Sequence, residues 1–137
     1  MQIKKGILIT FILSILWLIN SVAIGQNVDC SGFHTGSFKL LDASSPDYTI
    51  TRNDSIQTET ARNSVVTTDF HIRWIDDCNY ELTLIKMHNR PVGLKMPENT
   101  IKLLVKIYKV SGDTCWVETR ANSSEYVSKN RMVKIKE

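Results

Sequence analysis

The sequence predicts an all-β fold: a single-domain antiparallel meander that curls into an up-and-down β-barrel or a curved half-barrel, roughly lipocalin-like in shape. Three observations lead there. Apolar side chains recur with period two, and helical periodicity is nearly absent. Turn-forming residues cut the chain into eight candidate strands joined by mostly short connections. A meander of that length tends to close or half-close to bury its edges. A two-layer β-sandwich is the alternative.

Taken in order, the first three strands are Gly36–Leu41, Tyr48–Arg52 and Ser55–Thr60, short and rich in Thr, Ile and aromatics. Ala43-Ser44-Ser45-Pro46 and Asn53-Asp54 separate them as turns. The fourth strand carries the clearest signal. Val66, Thr68, Phe70, Ile72 and Trp74 alternate with Thr67, Asp69, His71 and Arg73, as a half-buried antiparallel strand requires. Asp76-Asp77-Cys78-Asn79 supplies the next turn, and Tyr80, Leu82 and Leu84 resume the alternation, so Trp74–Leu84 reads as a β-hairpin. The longest irregular connection, Arg90 through Pro97, has room for a helical turn or a lid-like loop. Thr100–Val110 then places Ile101, Leu103, Val105 and Ile107 on one face, and Cys115–Ala121 and Tyr126–Ile135 complete the set. Trp74, Trp116, Tyr48, Tyr80 and Phe70 are expected in or near the core, lining any cavity the barrel encloses.

The N-terminus reads as a cleavable signal peptide over residues 1–25, leaving an exported β-domain over 26–137. Lys4 and Lys5 precede an uncharged apolar run from Gly6 to Ile19, and Ala23 and Gly25 stand at −3 and −1 of a cut between Gly25 and Gln26. The run is too short for a transmembrane helix, which needs about 20 apolar residues. Lipidation at Cys30 is excluded because Asn27-Val28-Asp29 precede it. The expected location is secreted or periplasmic, with no membrane anchor after cleavage.

Removal of the leader takes two of the 17 basic residues and none of the 14 acidic ones, leaving fifteen against fourteen, a net charge of +1. So balanced a domain offers no electrostatic footprint for nucleic acid, and Lys129, Arg131, Lys134 and Lys136 read as a solvated strand face. Cys30, Cys78 and Cys115 all lie in the exported part, where disulfides form. In up-and-down order all three fall at one end of the sheet, so any pair is conceivable. Cys30–Cys78 is favoured because it staples the N-terminal segment onto the best hairpin, contributing ~3–4 kcal/mol in the chain-entropy picture. Cys115 is then a free, half-buried thiol.

No chemistry stands out. A phosphate-cradling loop and a Gly-x-Ser-x-Gly elbow are both missing from the sequence. His34, His71 and His88 are dispersed, whereas a metal site would need them to converge with a carboxylate. Asp76-Asp77 lacks the alternating ligands of a calcium loop and fits the turn itself. No local signature marks a Cys–His nucleophile. The expectation is therefore no catalytic residues, no metal and no cofactor. Two sequons, at Asn53 and Asn122, sit in predicted turns.

One pattern is distinctive: Cys30…Phe33-x-x-Gly36-x-Phe38, then Ile50-Thr51-Arg52-x-x-Ser55-x-Gln57-x-Glu59, then Phe70-x-Ile72-x-Trp74-x-x-Asp77-Cys78-x-Tyr80-x-Leu82. It resembles a group of short exported bacterial proteins of unestablished function, over about the first half of the mature chain. The resemblance also implies pairing of the first two cysteines. Members of that group are sometimes labelled DNA topoisomerase IV, a label this sequence does not support, since it lacks an ATP-binding loop and a catalytic tyrosine set among metal-binding carboxylates. The resemblance implies no activity and no site residues.

These readings converge on a non-enzymatic exported domain that binds a protein or cell-envelope partner through a strand edge or the 89–99 loop. The second reading is a carrier of a small apolar ligand in a barrel cavity, with Trp74 and Trp116 beside it. A small hydrolase ranks third.

Overall fold

The computed structural model describes residues 27–41, 48–61, 65–95 and 101–136. The leader with its Gly25–Gln26 junction, the Ala43–Pro46 turn and Pro97 lie outside the described residues. Eight antiparallel strands follow one another in chain order: β1 Gly36–Leu40, β2 Tyr48–Arg52, β3 Ile56–Ala61, β4 Thr67–Trp74, β5 Asn79–His88, β6 Lys102–Ser111, β7 Thr114–Ala121 and β8 Val127–Lys134. Each pairs with its sequence neighbours, and β8 returns to β1 to close the barrel. This is the up-and-down meander the alternation predicted, in its closed form rather than the half-barrel or the sandwich.

The elements form for local reasons. In the β4–β5 turn, the Asp76 carboxylate accepts from the backbone N–H groups of Cys78 and Asn79 and from the Asn79 side chain. Those bonds hold the carboxyl below the usual carboxylate range, the Asn79 side chain contributing most. Asn53 Oδ1 plays the same part before β3, accepting from the N–H of Ser55 and of Ile56. Strand β5 outruns its expected end at Leu84 and reaches His88, because β4 supplies partners as far as Thr67 once a bulge at Asp69/Phe70 absorbs the register shift. A turn at Val92–Gly93 starts the long β5–β6 connection.

Side chains alternate as pleating demands. Phe38, Ile50, Ile72, Leu82, Val105, Ile107, Val117 and Met132 point inward and are buried. Outward positions such as His71, Arg73, Lys106, Lys129 and Arg131 are exposed. The seam between β1 and β8 is the shortest joint, with Phe38, Leu40 and Lys39 paired to Lys134, Met132 and Val133.

The N-terminal segment caps one end. Ser31–Phe33 forms a short 3-10 turn that seats Phe33, 3 % exposed, against Phe38 with ring centroids 5.9 Å apart. Cys30 is bonded to Cys78 with Cα atoms 5.3 Å apart, as expected. Asp77 Oδ2 accepts from the Cys30 N–H at 2.9 Å, and Lys134 Nζ donates to the Gly32 carbonyl at 2.7 Å. Gly36 then turns the chain into β1 at φ 118°, a conformation open to glycine, with Lys134 Cε only 3.1 Å from where a Cβ would stand.

Candidate functional site

Strands β2 and β3 put polar side chains where the barrel should be greasy. Ile50 fixes the phase of β2, so Arg52 points inward with it. The register pairs Arg52 with Gln57 across the hairpin, and Glu59 follows Gln57 on the same face. Arg52 is 3 % and Gln57 1 % exposed. A buried guanidinium survives only if its donors are met. Arg52 Nε donates to Gln57 Oε1 at 2.6 Å, Nη1 to the Phe33 carbonyl at 2.9 Å, and Nη2 to the Tyr80 hydroxyl. Its carbon centre also lies 4.5 Å from the Tyr80 ring centroid and 5.2 Å from that of Phe38, within cation–π range.

Gln57 passes the network onward. Its Nε2 donates to Glu59 Oε1 at 2.7 Å, which makes Glu59 the carboxylate joined to Arg52 through one amide. Burial pushes the Glu59 carboxyl above the usual carboxylate range, outweighing the Gln57 hydrogen bond and the Arg52 charge, which both pull it down. Glu59 keeps some accessible surface despite that burial, because it borders an internal hollow.

The hollow measures about 170 Å³. Arg52, Tyr80 and Met132 line it toward the capped end, Leu40, Leu103, Thr119 and Ser128 toward the other, and Glu59 and Asn130 between. Asn130 Nδ2 donates to Ser128 Oγ at 2.9 Å, while Asn130 Oδ1 is buried without a hydrogen-bond partner among the described residues. Ile50, Leu82, Val105 and Val117 complete the lining and make most of the wall's surface apolar, although half of the lining residues are polar. A wider depression of about 320 Å³ lies on the outer wall beside Ile75 and Leu104.

The structure disperses the other residues of interest. Trp116 does not line the hollow: Cys115 and Val117 set the phase of β7 inward, so Trp116 faces out, under the Lys109 ammonium at 4.3 Å from its ring centroid. Trp74 is partly buried at the capped end, stacked on His34 (3.8 Å) and tilted against Tyr80 (4.6 Å), and is not in the hollow's wall. Closure of the barrel shortens the strand edges without removing them: β5 pairs with β6 over Asn79–Thr83 only, and β8 with β1 over Met132–Lys134 only.

The three histidines stay apart. His34 Nε2 donates to the Asp77 carbonyl at 2.7 Å, His71 is exposed, and His88 Nε2 meets Asp69 Oδ2 at 2.7 Å. Thr58 donates to the other Asp69 oxygen at 2.7 Å. That Thr–Asp–His array has its hydroxyl on the carboxylate, whereas nucleophilic catalysis needs the hydroxyl on the imidazole. Cys115 is fully buried rather than half-buried, and burial pushes its thiol up to about 12, so no thiolate forms at neutral pH. Cys30, Asp77 and Cys78 cluster within 4.8 Å, but the two sulfurs are bonded to each other and offer a metal no thiolate.

Sequence reasoning did not single out Arg52, Gln57, Glu59 or Asn130. The first three nonetheless stand in the Ile50–Glu59 pattern, and Phe33, Phe38, Trp74 and Tyr80 from the same pattern surround them. Comparison with family models, curated proteins and solved structures finds no match to this chain.

Proposed function

We propose that this domain binds one small, largely apolar molecule carrying a hydrogen-bond donor, held inside the barrel with the donor toward Glu59 and Asn130. The observation that carries the reading is a closed barrel around a hollow whose wall includes a buried, unpartnered Asn130 Oδ1. A buried acceptor left unpaired costs ~1–3 kcal/mol, which a ligand donor would recover. Size sets the class. A cavity of roughly 150 Å³ accepts benzene, so this one suits about six to ten non-hydrogen atoms. Ligands that small bind with about −4 to −6 kcal/mol, or near-millimolar to tens of micromolar. The reading assigns no bond-breaking step. It moves the emphasis from a protein partner at a strand edge to cargo in the interior, and replaces Trp74 and Trp116 by Glu59 and Asn130 as the residues that contact it.

The test is a titration of benzyl alcohol, benzylamine and toluene, followed by calorimetry or ligand-observed NMR, on the native protein and on Val117→Phe. Val117 is 5 % exposed and lines the hollow, so the added ring fills it. The alcohol or amine should bind at least about fivefold more tightly than toluene, the margin of one hydrogen bond, and Val117→Phe should abolish binding. Unchanged affinity in Val117→Phe would sink the interior site; toluene binding as well as benzyl alcohol would sink the assignment of the donor.

A further inference from the structure

The net charge conceals a strongly one-sided distribution. On the outer faces of β6, β7 and β8 stand Lys102, Lys106, Lys109, Arg120, Lys129 and Arg131, all exposed, against the single carboxylate Glu118. The register arranges them in rows across three adjacent strands. Lys109, Trp116 and Arg131 lie side by side, then Lys106, Glu118 and Lys129, then Leu104, Arg120 and Val127. Successive rows are two residues apart along β7 and β8, about 7 Å, while on β6 a bulge sets Lys106 and Lys109 three residues apart. Glu118 is saturated, with Arg120 at 2.7 Å and Lys129 at 3.6 Å, and the charge of Arg120 and Lys129 helps keep its carboxyl below the usual range after the Arg120 hydrogen bond. Further carboxylates border the face: Glu81, paired with Lys102 at 3.2 Å, Asp76, engaged in its own turn, Asp113, paired with Lys136 at 3.1 Å, and Glu125 in the β7–β8 connection. On the strand faces themselves Lys106 and Lys109 stand outside the ion pairs of Glu81 and Glu118.

We infer that this face binds a linear anionic polysaccharide, whose carboxylate or sulfate groups meet the cations of successive rows. Charge complementarity selects a polyanion. The aromatic residues select among polyanions. Single-stranded nucleic acid is gripped by bases stacking on open aromatic faces, but Lys109 lies over Trp116 and Lys129 over Tyr108, 4.3 and 5.7 Å from the ring centroids. A bilayer surface asks for apolar side chains that insert beneath the headgroups; here ammonium groups cover the rings. A polymer with its charges on the periphery and no base to stack fits what remains. This site lies on the outer wall and does not depend on cargo in the barrel.

The experiment measures binding of the intact protein to polygalacturonate and to heparin, with neutral dextran, oligodeoxythymidylate and phosphatidylglycerol vesicles alongside. At least one of the two glycans should bind, with affinity falling about tenfold or more between 50 and 200 mM salt as condensed counterions cease to be released. The triple variant Lys106→Gln/Lys109→Gln/Lys129→Gln should lose about tenfold or more. Glu118→Gln should tighten binding about two- to fivefold, a gain that a damaged fold cannot mimic. Dextran binding equal to the glycans, oligonucleotide or vesicle binding stronger than both glycans, or a Glu118→Gln variant with unchanged or weaker affinity would each overturn the inference.

Discussion

Replacing Arg52 by Met keeps a long apolar stem in the barrel and removes every N–H that the guanidinium directs at its surroundings. Three oxygen acceptors lose their donor, Gln57 Oε1, the Phe33 carbonyl and the Tyr80 hydroxyl, along with the weaker sulfur acceptor Met132 Sδ. At roughly 1–2 kcal/mol for each buried oxygen left unmet, that is about 3–6 kcal/mol. Loss of the cation over the Tyr80 and Phe38 rings adds about 1–2 kcal/mol. Against this, the substitution removes the desolvation cost of a buried charge, worth several kcal/mol, about 2–4 here. Midpoint against midpoint, about 6 less about 3, the balance is a destabilisation of about 3 kcal/mol. For a domain of about 110 residues, each kcal/mol lowers Tm by roughly 4 °C, so a drop of about 12 °C is expected. Urea unfolding followed by circular dichroism gives the free energy, and a thermal melt gives Tm. Arg52→Lys serves as the companion, since it keeps the charge but not the planar fork, and should recover less than half of the loss. If Arg52→Met costs under 1 kcal/mol, or stabilises the protein as some replaced buried ion pairs do, then packing alone holds this end of the barrel and the network does not.

Two further outcomes follow from the same geometry. Cys30 and Cys78 are 48 residues apart, and closing a loop of that length removes about 4 kcal/mol of chain entropy from the unfolded state; the Cys30→Ala/Cys78→Ala variant should lose about that much in urea, and a loss below 1 kcal/mol would show that the cap holds without its covalent tie. Glu59 titrates above its ordinary value in the folded state because of burial, so its contribution to stability is fully present below the unfolded carboxylate pKa near 4.3 and is lost as pH rises through the folded value. Glu59→Gln removes that dependence, and its stability relative to the native protein should rise from about pH 4 upward and then level off; a difference flat with pH would refute the burial of this carboxyl.

The strands were legible because alternation in β4, β5 and β6 is carried by large apolar residues such as Ile72, Leu82 and Ile107, all of which point inward. The interior network was not, and β3 shows why. Its large aliphatic residue, Ile56, pairs with exposed His71 and lies on the outer face, so hydrophobicity assigns that strand the wrong phase. Gln57 and Glu59 then read as solvent-facing, although they line the barrel. Arg52 could have been placed inside from Ile50 two residues before it, but an arginine at a core position is ordinarily read as a strand end. Trp116 failed in the opposite sense. Its size suggested the core, whereas Cys115 and Val117 already claim the inward positions of β7 and leave the indole to an amphipathic contact with Lys109. Asn130 carries no local signal, since only its buried place beside the hollow makes its amide oxygen unusual.

The joint between β1 and β8 has a consequence for the order of assembly. Every other strand pairing joins neighbours along the chain and can form as soon as a hairpin has been synthesised. The ring itself cannot shut until β8 exists, and β8 is the final strand in the sequence. Until then the protein is an open, curved ribbon whose Arg52 and Glu59 are still wetted by bulk solvent. Dehydration of those two side chains is thus deferred to the meeting of the first strand with the last, a long-range contact with a large loop-closure entropy.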